Sequence, residues 1–378
     1  MDVYERIGVK KLVNAYGTVT RIGGSRMRPE VLAAMADAAR SFVDLDELLE
    51  KAGEHIARLL GADGAFITTG AAGGLLLSGA ACIVGTDPQE MTRLPYTEGM
   101  KNEIVIFKGH RNAYDFAFRQ VGAKLVEIGV TNHVYPWELE AAISENTAAV
   151  AHFAAFDACN RDDLPLEKVI EISHKAGLPV IVNAAAELPP VENLTRFTKM
   201  GADLVVFSGG KDLRGPQCTG LILGRRDLIR ACALNSNPNH GIGRALKVGK
   251  EEIVGLVTAI ELYLEEDQQQ RMNQWESQVA DVLRGLEGLP CIRARRVCPS
   301  DPGIQPTCVP RVYVDLDESR LGLSRQEFRD ALRKHDPSVV VGLSSNGIVI
   351  NPQMLTAEEH SLVIDAIRDV VHKVVSRG

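Results

Sequence analysis

The sequence predicts an α/β protein, a mostly parallel sheet flanked by helices with a smaller C-terminal α+β domain. Three observations carry this. Short apolar runs that read as buried strands alternate with segments of helical spacing, the pattern of a sheet covered on both faces. Several runs end in glycine-rich or polar turns, and such sheets bind ligands outside the carboxyl ends of their strands. After a long helix from Glu251 to about Arg284, residues 291–378 return to short strands and helices. The expected division is an N-terminal arm (1–30), a large domain (31–250), a linking helix (251–290) and a small domain (291–378).

Taken in order, residues 1–30 have little helical period. Asn14 to Ser25 mixes polar side chains with glycines, which reads as an ordered arm with Arg21 available for an anion. Pro29 suits the first turn of a helix, and a second helix runs from about Asp46 to Leu60. Ala65 to Thr68 is a strand, Thr69-Gly70-Ala71-Ala72-Gly73-Gly74 a small-residue turn, and Leu75 to Val84 an apolar helix. Strand, small turn and helix together aim free N–H groups at an anion; close helix packing explains the same residues. No Gly-Lys-Ser/Thr and no G-x-G-x-x-G is present. Further strands are expected at 103–107, 124–129, 148–153, 179–183 and 202–207. Helical segments lie at 137–143 and 166–176. In the small domain, strands at 311–316, 338–341 and 347–350 accompany helices at 324–334 and from Thr356.

Composition narrows the classes. The 378 residues are 45% hydrophobic and 24% charged, ordinary for a globular protein of two or three domains. A formal net charge of -7 gives no basic field for nucleic acid. The seven cysteines are scattered, with no C-x-x-C pair, so neither a zinc site nor a disulfide framework is expected and the reducing cytoplasm fits best. No apolar run reaches the roughly 20 residues of a membrane helix, and the N-terminus has no signal-peptide pattern.

The chemistry concentrates in Val205-Val206-Phe207-Ser208-Gly209-Gly210-Lys211. A buried strand ends in a glycine turn that lets the backbone bend sharply and delivers a single lysine to the sheet edge. Such an amine, partly desolvated, can form a Schiff base. Ser208 beside it offers a hydroxyl to a phosphate.

Asn14-Ala15-Tyr16-Gly17-Thr18, Gly23-Gly24-Ser25, Thr69-Gly70-Ala71-Ala72-Gly73, Glu127 to Asn132 and Phe207-Ser208-Gly209-Gly210-Lys211-Asp212-Leu213-Arg214-Gly215-Pro216-Gln217 together resemble the selenocysteine synthase-like group of fold-type-I pyridoxal-phosphate (PLP) enzymes. Ala184 to Pro190 and Lys247 to Glu252 are most similar to the subgroup containing D-glucosaminate-6-phosphate ammonia-lyase. The resemblance covers nearly the whole chain. It implies the fold-type-I PLP-dependent transferase fold, the cofactor pyridoxal 5'-phosphate and a homodimer or larger even homo-oligomer. Lys211 is then the Schiff-base lysine and catalytic base. Ser208 and the turn Thr69, Gly70, Ala71 and Ala72 form the phosphate cup. His110 stacks on the cofactor ring, with Tyr114 the competing stacker, and Asp157 and Asn160 stand where the ring oxygen is contacted. Arg21, Arg214 and Arg244, with Lys247, are the candidates for a substrate carboxylate or phosphate.

One residue departs from the family pattern. The strand ending at 183 should supply an aspartate to the pyridine nitrogen, and this chain has Asn183. An amide can hydrogen-bond that nitrogen but cannot hold it protonated as a carboxylate does. This favours prompt loss of a β-leaving group over transamination. Glu187 lies too far along the chain to substitute easily. The resulting expectation is a PLP-dependent lyase acting on a hydroxylated 2-amino acid, with or without a phosphate, to give a 2-keto acid and ammonia. The alternatives are a racemase, aldolase or selenium/sulfur transferase with the same cofactor, and a PLP-fold binding protein without turnover.

Overall fold

The computed structural model describes residues 2–157, 164–301 and 304–375. Its strands are β1 (Leu12–Ala15), β2 (Gly64–Thr69), β3 (Glu103–Phe107), β4 (Lys124–Ile128), β5 (Thr147–Phe153), β6 (Val180–Asn183), β7 (Leu204–Ser208), β8 (Thr219–Gly224), β9 (Ile292–Val297), β10 (Arg311–Leu316), β11 (Ser338–Leu343) and β12 (Gly347–Ile350). Two compact units form: residues 26–266, and residues 1–25 with 267–378.

The first unit is built on a sheet of order β2-β8-β7-β6-β5-β3-β4. From β7 through β4 neighbouring strands are parallel. β8 runs antiparallel to both β2 and β7, so β2 points the same way as β7. The carboxyl ends of β2, β3, β5, β6 and β7 and the start of β8 therefore share one edge. Apolar burial explains the uninterrupted runs: Val150, Ile181, Val205 and Ile222 are closed off completely. The helix Leu45–Leu60 begins where the Asp44 carboxylate accepts the Glu47 N–H and ends at Gly61 in the left-handed region, an ordinary pair of caps.

The second unit carries the order β1-β11-β12-β10-β9. The helices Gln268–Leu286, Arg325–Lys334 and Glu359–Val375 contribute apolar residues to its core. The expected arm thus contains a strand, β1, parallel to β11. Asn14 organises its exit by accepting the N–H groups of Tyr16 and Gly17.

Two further expectations are corrected. The single long helix from Glu251 is two helices, Lys250–Glu265 and Gln268–Leu286, because Asp267 turns extended and caps the second by accepting the Gln270 N–H. The helix expected to begin at Leu75 begins at Gly70, so Gly70, Ala71 and Ala72 are its first turn rather than a preceding loop.

One buried charge ties the opposite edge together. Asp203, 2% exposed, accepts from the Val180 N–H at 2.7 Å, from His174 at 2.9 Å and from Arg225 at 3.0 Å. Asp203→Ala leaves the buried Val180 N–H unpaired and takes the shared carboxylate from His174 and from Arg225, which keeps Asp227, and should cost about 3 kcal/mol, measured as a lower urea midpoint with an unchanged slope.

Candidate active site

Lys211 sits in a loop that closes on itself. Beyond β7, the Gly209 N–H donates to Thr219 O (2.9 Å), the Gly215 N–H to Gly209 O (2.9 Å) and the Arg214 N–H to Lys211 O (3.0 Å). Arg214 takes a left-handed φ of 57° to complete the turn. A side chain at Gly210 would place its Cβ 2.4 Å from the Gln217 Cα, so the loop needs glycine there. Asp212 is buried and accepts the Tyr263 hydroxyl at 2.8 Å, which anchors the loop. The Lys211 amine makes no hydrogen bond or ion pair among the described residues. Burial holds its pKa below that of free lysine, while Glu187 pulls the other way.

The anion cup lies at the end of β2. No side chain caps the helix Gly70–Val84, so the N–H groups of its first turn are free of that competition. The Thr69 hydroxyl is buried without a partner. Gly220 on β8 lets this turn approach: a Cβ there would sit 2.4 Å from both C and O of Gly70. Ser208 pairs with Gly220 across β7 and β8 and so stands at the same edge. Helix-start amides, a buried hydroxyl without a partner among the described residues and a half-buried amine are the donor set that a phosphate and an aldehyde require, and the site fits pyridoxal phosphate on that ground.

The remaining candidates divide. His110 is fully buried, its ring 4.9 Å from Phe107 and 4.7 Å from His152. Its Nδ1 accepts the Phe153 N–H at 3.2 Å. Burial, helped by His152, pushes its pKa down to about 2, so the ring is neutral throughout the working range. Tyr114 is 62% exposed. Asp157 is bound to His152 Nε2 at 2.6 Å. Asn160 lies outside the described residues. The Asn183 Oδ1 accepts the Ala185 N–H at 3.1 Å, which leaves its amide nitrogen to act as donor toward a ligand.

Among the cations, Arg214 donates to Glu266, and the same carboxylate oxygen meets Arg28 at 2.9 Å. Its guanidinium is committed to that cluster. Arg244 and Lys247 are exposed; Leu246 between them lies 3.6 Å from where a Cβ of Gly73 would stand, close to the cup. Arg21 is exposed in the turn Thr20–Ile22 of the other unit.

Glu187 is the residue whose place the sequence does not reveal. Its N–H donates to Ala184 O (3.2 Å) and its carbonyl accepts the Asn193 side chain (2.6 Å), turning the chain back beyond β6. Its Oε1 is shut off from solvent and has no hydrogen-bond partner. Burial and then the negative Asp157 push its pKa up to about 7, against the opposing pull of Lys211 and Arg196. The only signal in the sequence is one acid within the apolar stretch Ala184 to Pro190.

A family profile described as SelA, L-seryl-tRNA selenium transferase, matches residues 12–276. The D-glucosaminate-6-phosphate ammonia lyase of Salmonella typhimurium is 32% identical, over 98% of each chain. A 5'-C-glycyluridine monooxygenase-decarboxylase of a Streptomyces species is also 32% identical, over 97% of this chain and 92% of its own. The solved structure of D-glucosaminate-6-phosphate ammonia-lyase superposes with a TM-score of 0.86 at 32% identity, covering 99% of both chains.

Gly220→Ala tests the cup. Its methyl group must displace Gly70, so binding of pyridoxal phosphate in an absorbance titration should weaken by about tenfold or more, ~1.4 kcal/mol.

Proposed function

Because the chain belongs to the L-seryl-tRNA selenium transferase (SelA) family and has the fold of fold-type-I PLP enzymes, we propose that it is a PLP-dependent ammonia-lyase for a hydroxylated 2-amino acid derived from a sugar. D-Glucosaminate 6-phosphate is the first candidate. The observation that carries this reading is the half-buried Lys211 amine, with no hydrogen bond among the described residues, on the same sheet edge as the start of the Gly70–Val84 helix.

Thr69, Gly70, Ala71, Ala72 and Ser208 would hold the cofactor's phosphate, His110 its ring face, and Asn183 would donate to its ring nitrogen. When bound, the cofactor supplies an electron sink that acidifies the substrate Cα–H. Lys211, its basicity lowered by burial, takes that proton at its Nζ. The β-hydroxyl departs as water, and hydrolysis of the resulting enamine releases ammonia and the 2-keto acid. Arg244 and Lys247, exposed and without an ion pair among the described residues, are the cations beside the cup that would meet a carboxylate or phosphate. Asn183, a donor in place of a carboxylate, suits a reaction in which the leaving group goes promptly.

The same reading puts the enzyme in the cytoplasm, which the free cysteines among the described residues support, as a homodimer or larger even assembly. Among the described residues no helix is long and apolar enough to cross a membrane.

The test is incubation with D-glucosaminate 6-phosphate and related hydroxyamino acids, measuring ammonia and 2-keto acid. Lys211→Ala should abolish both products and the near-visible absorbance of the bound cofactor. No product from any member of the panel would defeat the lyase reading; Cα proton exchange in D₂O without ammonia would identify a racemase instead.

A further inference from the structure

We propose that Glu187 is the acid partner of Lys211, delivering a proton to the hydroxyl that leaves Cβ and taking one back from the ammonium that Lys211 becomes. The assignment rests on the lyase reading and deepens it by naming the acid half of the reaction.

The two groups follow adjacent parallel strands. Lys211 lies beyond β7 and Glu187 beyond β6, with Asn183 in register with Val206. The Glu187 Oε1 has no hydrogen-bond partner, and neither does the Lys211 amine among the described residues. Each biases the charge of the other, yet the two do not close into an ion pair. A closed pair would be occupied with itself; an open one can engage a third atom. The other charged groups acting on Glu187 are Asp157, beyond β5, and Arg196, on the helix Asn193–Lys199. The first favours the protonated carboxyl and the second opposes it. With its pKa pushed up to about 7, the acid is substantially protonated at neutrality, while burial keeps Lys211 able to accept a proton.

The chemistry needs such a group because hydroxide is a poor leaving group. The Cα–H bond breaks and its proton passes to the Lys211 nitrogen. The electron pair left on carbon drives out the oxygen from Cβ. The Glu187 O–H gives its proton to that oxygen, completing water. The Lys211 ammonium then returns its proton to the Glu187 carboxylate. Both side chains end as they began, and the substrate has lost one water.

Glu187→Gln in the holoenzyme separates this role from a structural one. Elimination of hydroxyl should fall by about 10²–10⁴, the usual worth of a positioned general acid, while elimination of chloride from the 3-chloro analogue, which needs no proton, should fall less than about tenfold. In cofactor-free protein, the pH midpoint for chemical modification of Lys211 should move down, because the carboxylate that stabilises the ammonium is gone. Equal losses with both leaving groups, or an unmoved midpoint, would overturn the assignment. If the variant does not fold, wild-type protein labelled with ¹³C-glutamate should show one carboxyl titrating near neutrality that shifts in Lys211→Ala; its absence overturns the assignment equally. If the wild type eliminates neither leaving group, the lyase reading fails, and the Lys211 midpoint still decides whether the two groups are coupled.

Discussion

A half-buried primary amine without a counter-ion against it is the constraint to which the rest of the edge answers. An ammonium so placed loses hydration that no partner replaces, so the neutral form gains. That arrangement needs a rigid surround. Parallel strands buried on both faces supply the floor, and the Gly209–Thr219 loop, held by its own backbone bonds and by Tyr263 on Asp212, supplies the wall. Loop flexibility would let water in and return the amine to its ordinary basicity. The glycines here are consequences of that requirement: a side chain at 210 or 220 would meet backbone, which cannot swing aside.

The same edge is sparing with fixed charge. His110 is neutral, and Asp157 is engaged with His152. Against this background the amide at 183 acquires a physical meaning beyond its effect on a ring nitrogen. A carboxylate there would add a third acid to an edge that already holds Asp157 and Glu187. Like charges crowd one another's protons upward, so Glu187 would be pushed past the neutral range where it can both give and receive. Asn183 leaves one titratable acid close to Lys211, already negatively biased by Asp157. Its Oδ1, bound to the Ala185 N–H, fixes which end of the amide faces inward. The substitution and the elevated acid are therefore parts of one electrostatic arrangement.

What the sequence disclosed, and what it withheld, follows from the range of the interactions involved. The strands β2 through β7 are legible because burial on both faces writes itself as continuous apolar runs, and the turn that carries Lys211 to the sheet edge because a strand, two glycines and a lysine are local. β9 was not anticipated: Ile292-Arg293-Ala294-Arg295-Arg296-Val297 carries three arginines, as suits an edge strand. β1 escaped because four residues among glycines show no period. The break at Glu266-Asp267 is a single capping contact inside a helical composition. Arg214 read as an anion ligand because its partners Glu266 and Arg28 are remote in the chain. Glu187 was set aside on chain distance from Asn183, whereas the turn after β6 brings it within electrostatic range of Lys211. Roles decided by pairing across the fold are those a one-dimensional reading cannot assign.

Selectivity and reactivity consequently come from different parts of this surface. Arg244 and Lys247 remain solvated, and a solvated cation contributes at most about 1 kcal/mol to an ion pair. Two such contacts can favour a phosphorylated substrate over its unphosphorylated counterpart by roughly ten- to thirtyfold, a preference that salt would erode. The proposed acid–base pair is more buried, where screening is weaker. Changes in the exposed cations should therefore redistribute preference among hydroxyamino acids while leaving the reaction type intact. On the proposed mechanism, the reaction type changes when Lys211 or Glu187 changes, since these groups handle the proton from Cα.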